Sequence, residues 1–567
     1  MSNLSWPYFF ADYYRSLEFL AAIVGVFIFV STADDLFIDT WFWLRRLRRY
    51  FTIRPHHPRL TELQLREKDE QHLAIMIPAW LEFDVIAPML ENMVATLEYK
   101  NYMLFAGTYC NDARTIAEVE RMRRRYRHLI RVEVPHAGPT NKADCLNWIV
   151  QAAFLEEKKR GIKFAGMVLH DSEDVVHPLE LKYFNYLLPR IDFVQLPVTS
   201  LERGWHEFVA GTYMDEFAEW HTKDLVVRES LTGMVPSAGV GTCFSKRALA
   251  DLAAETNNQP FNTATLTEDY DIGTRLARRN MKQIFGKFPV QYIAQRHAFF
   301  GLGGLKVHSM TLPMSVREYF PDKFRAAYRQ KARWTLGISL QGWTQVGWEG
   351  SLANRYLLLR DRKGLVTSFI AIAAYFLLLN FLLFVAADHL GLWTVYYPSL
   401  FAPDSWLIPL MAANSAALLL RAVQRFYFVS SMYGWEHGLL SIPRMVLGNA
   451  INAMAAGRAW RQFIVHLFTG KPLVWDKTMH DFPSDEQLVR KRERLGDLLL
   501  SWQAINEADL ERALEIQQQT GMVLGQVLVR EKMIEPSIVD EALSFQMDQE
   551  GLLRPSPTKS SLSTGTL

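Results

Sequence analysis

Apolar positions are spread unevenly along the chain. Leu365 to Ala387 continues for 23 residues without a charge, about 34 Å of helix and enough to cross a bilayer. A buried core helix rarely needs so long an unbroken run, so this stretch predicts a transmembrane helix. Ser405 to Leu420 is uncharged for 16 residues, with Trp406 as an interfacial anchor. Across Asp388–Asp404 the two predict a helical hairpin. Phe19 to Ala33 offers only 15 residues, but Trp6, Tyr8, Tyr13, Tyr14, Trp41 and Trp43 flank it as an aromatic belt would. The rival reading, a cleaved signal peptide, wants a basic leading region and a small-residue cleavage site, and neither is there. Residues 426–457 are apolar but broken by Glu436, Arg444 and two asparagines, which predicts interfacial or re-entrant helices. A fourth full span is the alternative and would put the C-terminus outside.

Lys and Arg near the spans set the orientation. Arg45, Arg46, Arg48, Arg49 and Arg54 follow the first span, and Arg355, Arg360, Arg362 and Lys363 precede the second. Arg421 and Arg425 follow the third, while residues 388–404 have no Lys or Arg. These place the N-terminus outside and residues 45–364 in the cytoplasm, with everything after about 421 back in the cytoplasm, as for a bacterial inner-membrane protein.

Between the spans the pattern changes. Residues 73–195 alternate short apolar runs (LAIMIPA, YMLFAGTY, LIRVEV, FAGMVLHD, IDFVQLPV) with helical stretches. Such spacing predicts a mainly parallel sheet with helices on its faces. Ligands of open α/β sheets lie beyond the carboxyl ends of the strands. Pro78, Trp80 and Glu82, then Asn111 and Asp112, then His170 to Asp174 all fall at such ends.

Composition narrows the classes. The chain has 567 residues, 62 Lys+Arg against 60 Asp+Glu, and 49% apolar residues. A net charge of +2 gives no global basic character for nucleic acid, and this much apolar content excludes a disordered chain. Cys110, Cys145 and Cys243 are too few and scattered for a disulfide framework or a cysteine zinc site.

His170-Asp171-Ser172-Glu173-Asp174 packs three carboxylates into four positions, which repel unless a cation or dense hydrogen bonding offsets them. All-oxygen donors suit Mg²⁺ or Mn²⁺; alone, such a loop is as readily a solvated one. Thr267-Glu268-Asp269 is a second acidic group, just before a helix-like run. In Gln330-Lys331-Ala332-Arg333-Trp334, helical spacing puts Gln330, Arg333 and Trp334 on one face. The plainer view of that segment is an interfacial helix anchored in headgroups.

The order PAWLE (78–82), ND (111–112), NKADCLN (141–147), DSED (171–174), TED (267–269) and QKARW (330–334) resembles the family-2, GT-A-fold processive glycosyltransferases of the cellulose and hyaluronan synthase type. WDKTMH (475–480) also recurs in that family. The sequence departs from it at Leu81, where Asn is usual, and at Glu173, which replaces an Asp. The resemblance implies that Pro78, Glu82 and Asp112 border the uridine of a UDP-sugar and Lys142 the diphosphate. It implies Asp171 and Glu173 as ligands of Mg²⁺ or Mn²⁺. Asp269, beside Glu268, is then the general base, Arg333 the counter-charge to pyrophosphate, and Trp334 with Gln330 the acceptor platform, with inversion at the anomeric carbon. Gly239 to Cys243 resembles the small-residue acceptor loop.

Residues 495–517 and 524–546 repeat at an offset of 29, the mark of an internal duplication of helical units. A small bundle without a ligand is the plain interpretation. The repeat also resembles the MshEN family of cyclic-di-GMP-binding domains, through Arg494, Leu495, Gly496, Leu499, Ala513, Leu514 and Gln517, then Leu524, Gly525, Leu528 and Gln546. Trp502-Gln503 and Glu531-Lys532 stand where that family has Gly. The order of synthase, WDKTMH and MshEN-type repeat resembles a family of bacterial inner-membrane glycosyltransferases used in phage adsorption.

These patterns divide the chain into an N-terminal transmembrane and interfacial segment (1–44), a cytoplasmic GT-A, Rossmann-like α/β domain (45–364) and a transmembrane hairpin (365–425). Interfacial helices with WDKTMH (426–485), an MshEN-type helical repeat domain (486–550) and a disordered tail (551–567) follow. The expected activity is polymerisation of a sugar, of N-acetylhexosamine type by the resemblance, from a UDP-sugar into an exported polysaccharide under cyclic di-GMP control. An inactive nucleotide-sensing scaffold and a non-processive lipid glycosyltransferase are the alternatives. Three spans are little wall for a translocation channel, which leaves room for a second copy or an outer-membrane export partner.

Overall fold

The computed structural model describes residues 5–297, 300–392, 405–470, 481–483 and 495–553. WDKTMH, Arg494 and residues 554–567 lie outside them. Eleven strands are described: β1 (His72–Ala79), β2 (Tyr102–Tyr109), β3 (Leu129–Val134), β4 (Phe164–Leu169), β5 (Phe193–Gln195), β6 (Val198–Ser200), β7 (Thr242–Ser245), β8 (Gln283–Phe285), β9 (Pro289–His297), β10 (Leu305–Pro313) and β11 (Val316–Glu318). Seven form one sheet in the order β3-β2-β1-β4-β7-β5-β8. β1 and β2 are buried almost throughout, as strands covered on both faces must be, which is why they read as continuous apolar runs.

The sheet is mainly parallel, as expected, with one strand reversed. β3, β2, β1 and β4 run parallel, but β7 enters between β4 and β5 antiparallel to both. Its first two residues, Thr242 and Cys243, lie in the stretch expected to be an acceptor loop, and so short a strand shows no alternation to read. The expected strand over 191–198 divides at Pro197, which has no N–H for a ladder; β6 leaves the main sheet and pairs with β11.

Three of the helices between the strands begin on side-chain caps that satisfy orphan N–H groups. Asp112 Oδ1 accepts from Thr115 N at 3.3 Å, Asn141 Oδ1 from Asp144 N at 2.9 Å, and Ser245 Oγ from Ala248 N at 3.1 Å. The helix Lys142–Arg160 ends on Gly161, whose φ of 68° suits glycine.

Among the described residues three helices are long and apolar enough to cross a membrane. The first, Ser5–Arg48, has 44 residues rather than the 15-residue core expected. Its acids Asp34, Asp35 and Asp39 interrupt the apolar run but are all paired. Asp35 takes Arg360 at 2.8 Å and Arg421 at 2.9 Å, and Asp39 takes Lys223 at 2.5 Å. The hairpin helices are Leu352–His389 and Leu407–Tyr433. The second continues through the boundary drawn at 425. Residues 435–469 then form one 35-residue helix with Pro443 inside it, instead of several interfacial pieces. This Trp435–Thr469 helix lies against the catalytic domain, where Arg444 clamps both Asp215 oxygens at 2.7 and 2.9 Å.

Four helices, Leu495–Ser501, Glu507–Thr520, Leu524–Arg530 and Pro536–Leu553, make the C-terminal module. The duplication is written in its backbone. Gln503 and Lys532, 29 apart, have φ of 50° and 55°, and Ala504 N→Leu499 O and Met533 N→Leu528 O are both 3.0 Å. The module docks on the α/β domain through Arg125. That guanidinium meets Glu91 and Glu541 at 2.7 Å each and lies 4.7 Å from the ring centre of buried Trp502. Gln503 Nε2 donates to Lys100 O at 3.0 Å. Trp502 and Gln503 are therefore docking residues.

Candidate active site

The cleft is assembled at the carboxyl ends of β1 and β4. Pro78 closes β1 and Glu82 follows it. Asn141 and Lys142 open one helix, Asp171 to Glu173 follow β4, and Glu268 with Asp269 open the helix Glu268–Arg278. Gln330, Arg333 and Trp334 face in from Phe324–Trp334. Lys331 points the other way, to Glu216 at 2.6 Å and Asn452 at 3.0 Å, and ties that helix to Trp435–Thr469.

Lys142 is the hub. Its Nζ lies 2.5 Å from Asp171 Oδ1 and donates to Gly239 O at 3.0 Å. Gly239 has φ of 80°, and a Cβ there would fall 2.6 Å from Asp269 Oδ2, so only glycine admits both groups. Asp269 Oδ1 accepts from Tyr270 N at 2.7 Å, which leaves Oδ2 toward the cleft. Trp334 packs edge-on to Tyr213, with ring centres 6.2 Å apart.

Asp112 is not among the cleft-lining residues. It caps its helix and also accepts from Leu81 N at 2.6 Å, so it fixes the loop that carries Glu82. Leu81 itself has φ of 57°, a conformation Asn tolerates far better than Leu. Asp174 is also engaged elsewhere. Buried His170 bonds Asp174 through Nδ1 at 2.8 Å and Glu180 through Nε2 at 2.7 Å. Burial opposes the imidazolium, but Glu180 and Asp174 overcome it and raise His170 to about 10. Glu318, on β11, lines the cleft too; an isolated acid in a three-residue strand left no sequence signal.

Negative charge dominates the cleft. Glu82, Asp171, Glu173, Glu268, Asp269 and Glu318 line it against Lys142 and Arg333. Burial raises Glu268, Asp269 and Glu318 from their ordinary carboxylate values. Asp269 adds to the rise on Glu268, and Asp174, Glu173 and Asp171 to that on Glu318. Burial lowers Arg333, against the pull of Glu268 and Asp171. Gln330 Oε1 is buried with no hydrogen-bond partner and so presents an acceptor to whatever enters.

Among the described residues no three His, Cys, Asp or Glu side chains converge into a complete metal cage. Mg²⁺ and its relatives often take one or two carboxylates and complete their shell with phosphate oxygens and water. Asp171 and Glu173, oxygen donors in an over-negative cleft, fit that pattern.

The module residues lie apart from the cleft. Leu495, Gly496 and Leu499 are on its first helix, Gln517 on its second, Leu524, Gly525 and Leu528 on its third and Gln546 on its fourth. A Cβ on Gly496 would meet Leu510 at 3.0 Å, and one on Gly525 would meet Val539 at 2.8 Å; both glycines seat helix crossings.

Residues 166–387 match the family described as glycosyl transferase family group 2, the class that the mixed α/β sheet and its acidic cleft suggest. Bacteriophage adsorption protein B of Escherichia coli K12 is 42% identical over 540 residues, covering 95% of this chain and 72% of that one. Bacteriophage N4 adsorption protein B of Escherichia coli O157:H7 gives the same figures. The chain belongs to this adsorption protein B family of glycosyltransferases. Among solved structures, the mannosyltransferase PcManGT of Pyrobaculum calidifontis, in complex with GDP-Man and Mn2+, aligns with a TM-score of 0.46 at 14% identity, covering 78% of this chain and 99% of that one.

Proposed function

We propose that the chain is an inverting, membrane-embedded glycosyltransferase that elongates a polysaccharide from a UDP-sugar and is activated by cyclic di-GMP at residues 494–546. The observation that carries the catalytic part is Lys142 lying between Asp171 and the Gly239–Asp269 contact, in a cleft with more acids than bases. In this reading Asp269 Oδ2 takes the proton of the acceptor hydroxyl as its oxygen attacks the anomeric carbon. The bond from that carbon to the diphosphate oxygen breaks on the opposite face. Lys142 and Arg333 lie beside the departing diphosphate, Glu82 holds the base end, and Trp334 with Gln330 seats the acceptor sugar. A divalent cation on Asp171 and Glu173 would neutralise the leaving nucleoside diphosphate when bound. An inactive scaffold has no use for six acids gathered around Lys142 and Arg333.

Membranes containing the protein, given radiolabelled UDP-sugars and Mg²⁺ with and without cyclic di-GMP, test the reading. Transfer to a large product that rises with the dinucleotide supports it. Transfer to a small lipid product would make the enzyme non-processive, and no transfer from any donor would return it to a scaffold. Arg494→Ala should remove the activation and spare the basal rate.

A further inference from the structure

Away from the cleft, Ser5–Arg48 and Leu407–Tyr433 diverge to leave a groove. Leu36, Thr40 and Leu44 wall one side, and Leu420, Val423 and Tyr427 the other. Positions four apart on one helix face three and four apart on its neighbour, so the groove runs lengthwise, about 12 Å from residue 36 to 44. Its polar groups satisfy one another. Asp39 accepts from Lys223 Nζ and Gln424 Nε2 at 2.5 Å each, and Trp43 Nε1 donates to Gln424 at 3.3 Å. What remains for an occupant is apolar.

One mouth of the groove carries a cluster of cations. Arg45, Arg46, Arg48 and Arg49 lie close in sequence at that end of the helix; Glu229 is 3.9 Å from Arg45 and also feels the charge of Arg49, which leaves Arg46 beside the groove. Arg46 is turned toward the groove wall: its Nη1 donates to the Tyr427 hydroxyl at 3.1 Å, and its guanidinium lies 5.3 Å from the Trp43 ring centre. The excess is felt nearby, since burial and then Arg45 and Arg46 lower Lys287 to about 8.

We propose that the groove takes an acyl chain of one anionic phospholipid, with its phosphate on Arg46. A long apolar slot ending in unbalanced cations matches a ligand that is a tail at one end and an anion at the other. The proposal rests on these helices crossing a bilayer.

The full chain is placed in nanodiscs of phosphatidylcholine with and without phosphatidylglycerol, and the lipid retained after mild extraction is weighed by native mass spectrometry. One phosphatidylglycerol per chain should persist in preference to phosphatidylcholine. Arg46→Gln should cut retention by about fivefold. Thr40→Trp and, from the opposite wall, Val423→Trp fill the slot without touching a charge and should abolish retention, with circular dichroism confirming the fold. Full retention in both tryptophan variants would mean attraction to surface charge alone and overturn the site. Equal retention of the two lipids would overturn the anionic reading, and displacement by inorganic phosphate would make the ligand a free anion. A chain that does not enter bilayers at all, seen by flotation of the same sample, would overturn the membrane reading instead.

Discussion

The acids of the cleft and the acids where the long helices meet the catalytic domain are treated in opposite ways. Glu268, Asp269 and Glu318 share a cleft whose bases are Lys142 and Arg333; burial raises all three, as it raises Asp215 at the junction, so it is the pairing and not the titration that divides the two groups. At the helix junction, Asp39 meets Lys223 at 2.5 Å, Glu219 meets Arg425 at 2.7 Å, and Asp215 meets Arg444 at 2.7 Å. A carboxylate matched to its own base holds helices in place. One left short of positive charge is poised for a ligand that brings it.

This contrast can be broken most severely at Asp269. Asp269→Asn should lower sugar transfer by about 10²- to 10⁴-fold while UDP binding by calorimetry stays nearly unchanged; retained transfer would remove Asp269 from the role of base. At the junction the damage should be to stability. Arg444→Ala leaves Asp215 buried and alone, a loss of about 3–5 kcal/mol, read as a lower melting temperature in detergent. Arg444→Met with Asp215→Leu should recover most of it.

A titration sharpens the picture further. Burial alone holds His128 at about 4, and neither ring nitrogen has a partner. Below its unfolded value of 6.5 the unfolded chain takes up a proton that the native chain refuses. Stability should therefore fall as pH drops from 6.5 to about 4, by about 1.4 kcal/mol per pH unit, and His128→Phe should flatten that fall in melting curves. The smallest effect is expected at Leu81. With φ at 57°, Leu81→Asn should relieve about 1 kcal/mol of backbone strain and raise the melting temperature by a few degrees.

β1, β2 and β4 were legible because both their faces are buried and their residues repeat that fact continuously, while the edge strand β3 was legible as a short apolar run broken by Arg131 and Glu133. The segments lining the cleft were legible as motifs, each a dense polar cluster after an apolar run. β7 and Glu318 were not, since four- and three-residue strands carry no period. Residues 426–469 misled for another reason. Arg444 and Asn452 look like interruptions in an apolar run, yet they face Asp215 and Lys331 on the catalytic domain. A sequence shows a charge without showing its partner, so a helix polar toward protein reads as one polar toward water.

Arg125 has a mechanical consequence. It ends the helix that Asp112 begins, and Glu91, which it grips, lies along the helix that starts beside Glu82. The two helices are rods between the module's docking face and the loop that borders the cleft, the longer about 20 Å from end to end. A tilt of the module against Trp502 would tug both rods together and reshape the Glu82 end of the cleft.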